Sequence, residues 1–358
     1  MIQTNGPLNK PPNRVLLVSI PRTASNLLVK VLNLPNQSNV HSNEKAGYFF
    51  YPGFVTAARG GYMEKPAEQW TNQEKEQVRA TYQGCLDKIE ECTSEAEEKN
   101  KMMFAKEHSF WMHPPASFQK KITGVHNEEF FNTFRVNTPE KYGSTRTYSP
   151  LNETIFSDEY LRSWQMIFII RHPALTWPSF WRSMLKFSKE GIIDEDEVQG
   201  GTTMANMSMR WSRSLYDWNL HQDRRHAPPI LDAYDLIHSP EVVIKFCEQA
   251  GMNSTALQFE WNCQADDSDH WASAQKVKEV ATKTGVDERH IRASHIMLNT
   301  LSHSSGLLKD KTPEEVDIST EMVKWKAEFG DEVAGKIKKA VWDSMPDYEY
   351  MKARRVTV

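Results

Sequence analysis

The feature that most constrains the fold is a strand, a turn and a helix in succession near the start of the chain, in the stretch RVLLVSIPRTASNLLVKVL. Residues 15–20 form a continuous apolar run, which predicts a short strand buried on both faces. The last part of the stretch predicts a helix. Between them, the turn PRTASN contains small and hydroxylic residues and one arginine. In α/β proteins a turn at this position, before a helix N-terminus, holds anionic ligands.

Three further apolar runs predict strands, and helical patterns separate them. These runs are MMFAKEH (residues 102–108), QMIFII (165–170) and PPILDAYDL (228–236), and each ends in polar residues. This alternation predicts an α/β fold with a central parallel sheet flanked by helices and with ligands at the carboxyl ends of the strands.

The segments between the strands give weaker signals. TNQE, residues 71–74, is a capping box that predicts the start of an amphipathic helix. Residues 46–62 and 128–143 are dense in aromatic residues without a regular period, which predicts loops that either line a pocket or are anchored in the core. The C-terminal region predicts two helices broken near Gly330.

Length and charge limit the domain organisation and the partners. The 358 residues, 39% of them hydrophobic, predict one decorated domain over residues 14–358 after a flexible tail, residues 1–13. With 43 basic and 47 acidic residues the formal charge is −4, which argues against nucleic acid as a partner. The sequence leaves homo-oligomer formation open.

Cysteine usage and hydropathy indicate the compartment. The four cysteines show no CxxC pair and no metal-ligand spacing, so we interpret them as reduced and buried and expect no metal site: Cys85, Cys92, Cys247 and Cys263. No signal-peptide pattern and no run of roughly 18 apolar residues is present. We therefore expect a cytoplasmic protein without a membrane span.

The PRTASN turn differs from a Walker phosphate loop, which needs GxxxxGK[ST] to wrap the phosphates and to hold magnesium. It has neither those glycines nor the lysine. It can still bind a terminal phosphate without a metal through the Arg22 guanidinium, the Asn26 amide, the hydroxyls of Thr23 and Ser25, and the backbone amides from Ala24 to Leu27.

A second motif, IFIIRHPALTWPSFWRSM, places Arg171 at the end of a strand and Ser179 eight residues later. Either residue alone would be ordinary, but their joint spacing after a buried strand favours a functional pair. Together the two motifs resemble the sulfotransferase family, which transfers a sulfuryl group from 3′-phosphoadenosine 5′-phosphosulfate (PAPS) and releases PAP. The sequence looks like that of divergent microbial members of the family, particularly fungal ones.

The resemblance implies a role for each matching residue. The family's first loop surrounds the 5′-phosphosulfate, and Arg22 matches its basic residue while Thr23, Ala24, Ser25 and Asn26 match its small and hydroxylic run. The family's RxPxxxxxS motif binds the 3′-phosphate, which assigns that task to Arg171 and Ser179. The resemblance therefore implies two separate phosphate sites.

A third motif, FAKEHSF, matches the strand that carries the family's catalytic histidine, with a lysine two positions earlier. The resemblance implies that His108 takes the proton of a small alcohol or phenol acceptor. Lys106 and Arg22 would neutralise the leaving oxygen.

Three departures accompany the resemblance. Ala24 replaces the usual loop glycine, Asn26 replaces a second hydroxyl, and no RKG triplet supplies a further 3′-phosphate contact, for which Lys309 or Lys311 is a candidate. Two alternative functions stay open. One is a changed chemistry, such as elimination or cyclisation driven by sulfation in secondary metabolism, and the other is a non-catalytic module that binds PAP or PAPS.

Overall fold

The computed structural model describes residues 13–59, 61–222, 226–262, 277–279, 281–282 and 287–358. Within them, five parallel strands form one sheet, with the order β2-β3-β1-β4-β5 from edge to edge. The strands are β1 (Arg14–Ser19), β2 (Val40–His41), β3 (Met102–His108), β4 (Gln165–Ile170) and β5 (Ile230–Asp232). The predicted parallel α/β fold is confirmed.

Helices connect the strands and cover the sheet. In chain order the α-helices of the described residues are α1 (Ser25–Leu32), α2 (Tyr51–Arg59), α3 (Asn72–Glu98), α4 (Pro115–Thr123), α5 (Glu128–Thr133), α6 (Asp158–Arg162), α7 (Pro173–Lys189), α8 (Glu195–Gln199), α9 (Gly201–Asn206), α10 (Arg210–Leu220), α11 (Ala233–His238), α12 (Pro240–Gln249), α13 (Glu288–Ser302) and α14 (Ile318–Lys352).

The two faces of the sheet belong to separate parts of the core because side chains alternate along a strand. In β1, Leu16 and Val18 pack into the larger cluster, to which α3, α7, α10 and α14 contribute. Val15 and Leu17 pack into the smaller cluster with α1 and α12. The sheet is therefore covered on both faces, as its continuous apolar runs predict.

Several local predictions are confirmed. The predicted bounds of β3 and β4 match those observed, and β1 lies one residue earlier than predicted. Thr71 caps α3 through the predicted capping box. Gly330 interrupts α14 with a φ of 82° and a ψ of 168°, which is the predicted break between two C-terminal helices.

Three predictions about segments are wrong. The strand predicted over 228–236 is limited to β5, because the Asp232 carboxylate accepts the Tyr234 N–H and starts α11. The segments 46–62 and 128–143 are not continuous loops, since they contain α2 and α5. In α2 the missing Cβ of Gly53 leaves room for the Tyr82 ring of α3, so the glycine serves helix packing. The short strand β2 has no strong signal in the sequence.

The remaining predictions concern cysteines and membrane spans. Cys85, Cys92 and Cys247 are free and buried, as predicted. Cys263 and residues 1–12 of the predicted tail lie outside the described residues. In the part of the chain that the structure describes, no helix has the length and apolar character needed to cross a membrane.

A strained segment, residues 46–48, runs beside the carboxyl end of β3. Lys106 donates its N–H to the Ala46 carbonyl, and Tyr48 donates its N–H to the Lys106 carbonyl, both at 2.8 Å. All three residues have positive φ values, of 57° at Ala46, 141° at Gly47 and 62° at Tyr48. A Cβ on Gly47 would lie 2.0 Å from the Lys106 carbonyl oxygen, so only glycine fits there.

We expect Gly47→Ala to destabilise the protein by several kcal/mol, because the new methyl group collides with main-chain atoms that cannot rotate away. Gly124→Ala is the matched control, with a φ of 73° and open space around the new Cβ. It should cost only about 1–2 kcal/mol. Urea unfolding of both variants measures the difference, and equal losses would contradict the close approach at Gly47.

Candidate active site

The three central strands end side by side and bring together the residues that follow them. Ser19 at the end of β1 is in register with His108 at the end of β3. Beyond these ends lie the PRTASN turn after β1 and Arg171 after β4. After β1 the chain continues to β2 and β3, which lie on one side of β1 in the sheet. The strands β4 and β5 lie on the other side of β1. Ligands of open α/β sheets bind at such a divergence.

Lys106, His108, Asn26 and Tyr48 form a cluster that we call the lysine–histidine cluster. Lys106 and His108 share one face of the sheet because they lie two residues apart in β3. The Lys106 side chain is 1% exposed, and its Nζ donates to the Asn26 Oδ1 on α1. The same Nζ lies 4.2 Å from the centroid of the Tyr48 ring. The structure thus joins residues from two of the predicted motifs.

Ser19 fixes the orientation of the His108 ring. The Ser19 Oγ lies 2.8 Å from His108 Nδ1 and 3.1 Å from the Glu107 carbonyl oxygen, to which it donates. A hydroxyl carries one hydrogen, so with that donation made it accepts from Nδ1–H. The hydrogen-bond network therefore assigns the neutral tautomer whose Nε2 lone pair is free to accept a proton.

Burial controls the charge of this cluster. It lowers the pKa of His108 well below its usual value, and the Lys106 ammonium adds to that effect. Burial also lowers the pKa of Lys106 to about 7, against the opposing effect of the neighbouring Glu107 carboxyl. It raises the pKa of Glu107, whose Oε1 accepts the Phe49 N–H. The imidazole is therefore neutral at pH 7, as a general base requires.

Arg22, Arg171 and Arg182 form a second group, which we call the arginine cluster. Arg22 donates its Nε to Ser179 Oγ at 3.0 Å and its Nη1 to the Met297 carbonyl at 2.8 Å.

Arg171 donates Nη1 to the Arg22 carbonyl at 3.2 Å and Nη2 to the Lys311 carbonyl at 2.9 Å. Of the three arginines, Arg182 is paired with a carboxylate, that of Glu328.

The arginine cluster holds positive charge that protein carboxylates do not neutralise. Among the described residues, no carboxylate forms an ion pair with Arg22 or Arg171. Burial and the charge of Arg22 lower the pKa of Arg171 to about 10. Its Nε is buried and has no hydrogen-bond partner within the described part of the chain. Such a site favours an anion.

The two phosphate motifs are in direct contact. Arg22 of the first motif touches Ser179 of the second, and Arg171 touches the Arg22 backbone, while the two separate phosphate sites stay a prediction. The candidate third contact is also nearby, since the Lys311 backbone meets Arg171, although the Lys309 and Lys311 side chains are exposed. The motifs therefore form one continuous cationic surface.

The other residues of the PRTASN stretch and the following Leu27 have different structural roles. Ala24 is the N-cap of α1 with a φ of 66°, and no side chain caps this end, so its first-turn amides point at the site. The Thr23 hydroxyl donates to the Ile20 carbonyl and closes the turn itself. Ser25 is buried, and Leu27 packs against the smaller core cluster.

Four aromatic side chains border His108, and we call them the aromatic wall: Tyr48, Tyr51, Phe54 and Trp111. The sequence indicated an aromatic-rich segment but not these contacts. The Tyr48 and Trp111 rings lie 5.2 and 4.5 Å from the imidazole, between centroids. Tyr51 and Phe54 extend the wall over Trp111. The density of aromatic residues in 46–62 was the available signal.

Two features of the site gave no sequence signal of their own: Ser19 and the buried Glu107.

Elsewhere, a cavity of about 830 Å³ lies between α4, α10 and α14, and its lining includes Lys121, Arg210 and Lys339 but none of the predicted site residues. Within the described residues, no group of three or more metal-ligating side chains is arranged to hold an ion.

Similar proteins identify the family. A sulfotransferase named ppzF from Metarhizium majus (strain ARSEF 297) is 33% identical over 358 residues, which covers 96% of this chain and 97% of that protein. The chain belongs to the sulfotransferase family. Sulfotransferase ppzF from Metarhizium rileyi (strain RCEF 4871) is 32% identical over 357 residues and covers 96% of each chain.

Two solved sulfotransferase domains are similar to the chain at low sequence identity. The sulfotransferase domain of the Synechococcus PCC 7002 olefin synthase is 13% identical, with 92% of this chain and 98% of that one covered and a TM-score of 0.38. The sulfotransferase domain from the curacin biosynthetic pathway is 12% identical, with 89% and 97% covered and a TM-score of 0.37. No family model matches the chain.

We expect Ala24→Gly to stabilise the protein by up to about 1.5 kcal/mol. Relief of the left-handed Cβ strain is worth roughly 1–2 kcal/mol, and the added freedom of the unfolded chain offsets about 0.4–1 kcal/mol of it. Ala80→Gly, at an exposed position within α3, is the control and should destabilise by about 1 kcal/mol. Urea unfolding measures both, and a loss for Ala24→Gly would contradict the strained turn.

Proposed function

We propose that the protein transfers a sulfuryl group from PAPS to a hydroxyl of a small-molecule acceptor and releases PAP, with His108 as the base. The observation that carries the proposal is the pair of half-buried arginines, Arg22 and Arg171, which meet without a carboxylate partner among the described residues. Tyr48 links them to the buried, neutral His108, because its ring lies 5.2 Å from the imidazole and it interacts electrostatically with Arg22. A site for a multiply charged nucleotide next to a general base suits this reaction.

The donor groups fit the phosphates of PAPS. Arg22 and Arg171 now donate to the carbonyls of Met297 and Lys311, which phosphate oxygens can replace as stronger acceptors. The buried Arg171 Nε offers one more donor. The uncapped N-terminus of α1 adds backbone amides.

PAPS supplies the sulfuryl group and a phosphate leaving group, and the protein supplies alignment and charge. His108 Nε2 takes the acceptor proton as the acceptor oxygen bonds to sulfur and the bond from sulfur to the phosphate oxygen breaks. Lys106, Arg22 and the α1 amides stabilise the charge on the leaving oxygen. The products are a sulfate ester and PAP, and one proton is released.

The aromatic wall supports an alcohol or phenol acceptor with an apolar body. Tyr48, Tyr51, Phe54 and Trp111 border the His108 ring, so the acceptor carbon skeleton would pack on aromatic faces while its hydroxyl meets Nε2. A role in secondary metabolism and a cytoplasmic location belong to the same proposal and rest on the sequence.

A reaction test decides between this function and its alternatives. The protein is incubated with PAPS and with phenol and alcohol panels, and mass spectrometry follows PAP and the product. A mass gain of one sulfuryl group supports the proposal, while an acceptor that loses water or cyclises indicates the changed chemistry. PAP binding without any turnover of PAPS would indicate a non-catalytic module.

We expect His108→Asn to lower turnover by about a hundredfold to ten-thousandfold, because Asn can keep the contact to Ser19 but has no group at the Nε2 position. PAP affinity should stay within about twofold, since the imidazole acts on the acceptor. His221→Asn, at an exposed position after α10, is the control and should leave both unchanged. Steady-state rates and calorimetric titration measure the two effects, and an equal loss of PAP binding would make His108 a structural residue.

We expect Arg171→Gln to weaken PAP binding by about 2–5 kcal/mol, because it removes the partly buried positive charge that would pair with the 3′-phosphate. Adenosine 5′-phosphosulfate lacks that phosphate and should bind the variant almost as it binds the wild type. Arg79→Gln removes a surface charge paired with Glu76 and should change neither ligand. Calorimetric titrations with both ligands, and with ATP and magnesium, provide the measurement.

Proportionate losses for both nucleotides in Arg171→Gln, together with a lower melting temperature, would assign Arg171 a purely structural role. Tighter binding of ATP than of PAP by the wild type would replace the sulfotransfer proposal with a kinase-like one.

A further inference from the structure

We propose that Tyr48 is a positioning residue of the active site: the face of its ring holds the Lys106 ammonium group against Asn26 at the N-terminus of α1. This inference deepens the proposed function and rests on it, because the charge that Tyr48 holds is the one assigned to the leaving oxygen. Its basis is the environment of the Lys106 Nζ atom.

Lys106 lies where an ammonium group needs compensation. The side chain is 1% exposed, and among the described residues no carboxylate forms an ion pair with its Nζ. Its polar partner is the Asn26 Oδ1, and the Tyr48 ring lies 4.2 Å away. A cation over an aromatic face is stabilised most strongly when both are removed from water. Tyr48 therefore supplies a substantial part of the compensation for the buried charge.

The charged groups near Lys106 come from β3 itself and from the turn after β1. On β3 itself, Glu107 projects to the opposite face of the sheet, where the Phe49 N–H binds its Oε1, and His108 is neutral. From the turn after β1, the Arg22 guanidinium lies close enough to Tyr48 for the two to interact electrostatically. None of these groups takes over the contact that the ring makes with Nζ.

The backbone around Tyr48 is built to keep the ring in place. Residues 46–48 have consecutive positive φ values, and the Lys106 main chain binds the segment on both sides of Gly47. Asn43 clamps the same turn by bonding both the N–H and the carbonyl of Gly47. Strain of this kind persists where the surroundings determine the conformation. The Tyr48 hydroxyl completes the arrangement with a 3.3 Å bond to Asn26 Oδ1.

The proposal predicts a change in pH dependence. Lys106 acts in its protonated form, so kcat/KM for PAPS falls as pH rises through the pKa of Lys106. This fall is the alkaline limb of the pH profile of kcat/KM. Loss of the ring removes stabilisation of the ammonium form and lowers that pKa. We expect the midpoint of the alkaline limb in Tyr48→Leu to lie about one pH unit below that of the wild type, a tenfold change in the protonation constant of Lys106.

Two variants are matched controls. Tyr48→Phe keeps the ring and should keep the wild-type limb. Tyr51→Leu removes a neighbouring ring, whose centroid is 4.8 Å from that of Trp111, and should also keep the limb. Tyr48→Met is a second ring-free variant if Tyr48→Leu does not fold. A wild-type limb in both ring-free variants, or an equal shift in Tyr48→Phe, would overturn the proposal.

A measurement without substrate separates this inference from the proposed function. Protein labelled with 15N at the lysine side chains is titrated by NMR, and Lys106→Met assigns the signal. The Lys106 midpoint should fall by about one pH unit in the ring-free variants and stay in Tyr48→Phe. Wild-type protein that fails to turn over PAPS would defeat the proposed function, whereas an unchanged Lys106 midpoint in the ring-free variants would defeat the role of Tyr48.

Discussion

The parallel pairing of β1 with both β3 and β4 is the constraint on which the rest of the structure depends. Backbone hydrogen bonds set the register, so that Ser19 lies beside His108 and the turns after β1 and β4 open next to each other. A shift of one residue in either pair would turn alternate side chains to the opposite face. Because both faces are covered by core, the register is fixed by packing as well as by the ladder.

On this frame the site gathers positive charge that the fold does not neutralise. Lys106 is buried, and Arg22 and Arg171 are partly buried. Among the described residues, carbonyls, a serine, an amide and a ring meet their donors in place of carboxylates. Such charges oppose folding, and a bound anion offsets the cost. A ligand that binds only the folded state adds about 2.7 kcal/mol of stability at a concentration of 100 times its Kd. A bound anion would therefore stabilise the folded protein.

Backbone strain is concentrated at the same place. Arg22 and Ala24 in the first turn, and Ala46 and Tyr48 beside β3, are non-glycine residues with positive φ. Each such residue costs roughly 1–2 kcal/mol relative to ordinary conformations. The two strained segments meet through Asn26, whose Oδ1 accepts from both Lys106 Nζ and the Tyr48 hydroxyl. The strain thus orients the polar groups of the site.

The sequence by itself determined the parallel α/β fold, the bounds of β3 and β4, and three short motifs, because continuous apolar runs and fixed spacings are local signals. It did not determine that 46–62 contains a helix, since Gly53 disrupts the pattern for a reason found only in its packing against Tyr82. Nor could it determine that Arg22 reaches Ser179, 157 residues away, or that Tyr48 lies over Lys106. Those contacts depend on the order of the strands and on the Gly47 approach to β3, and tertiary packing alone decides such long-range placements.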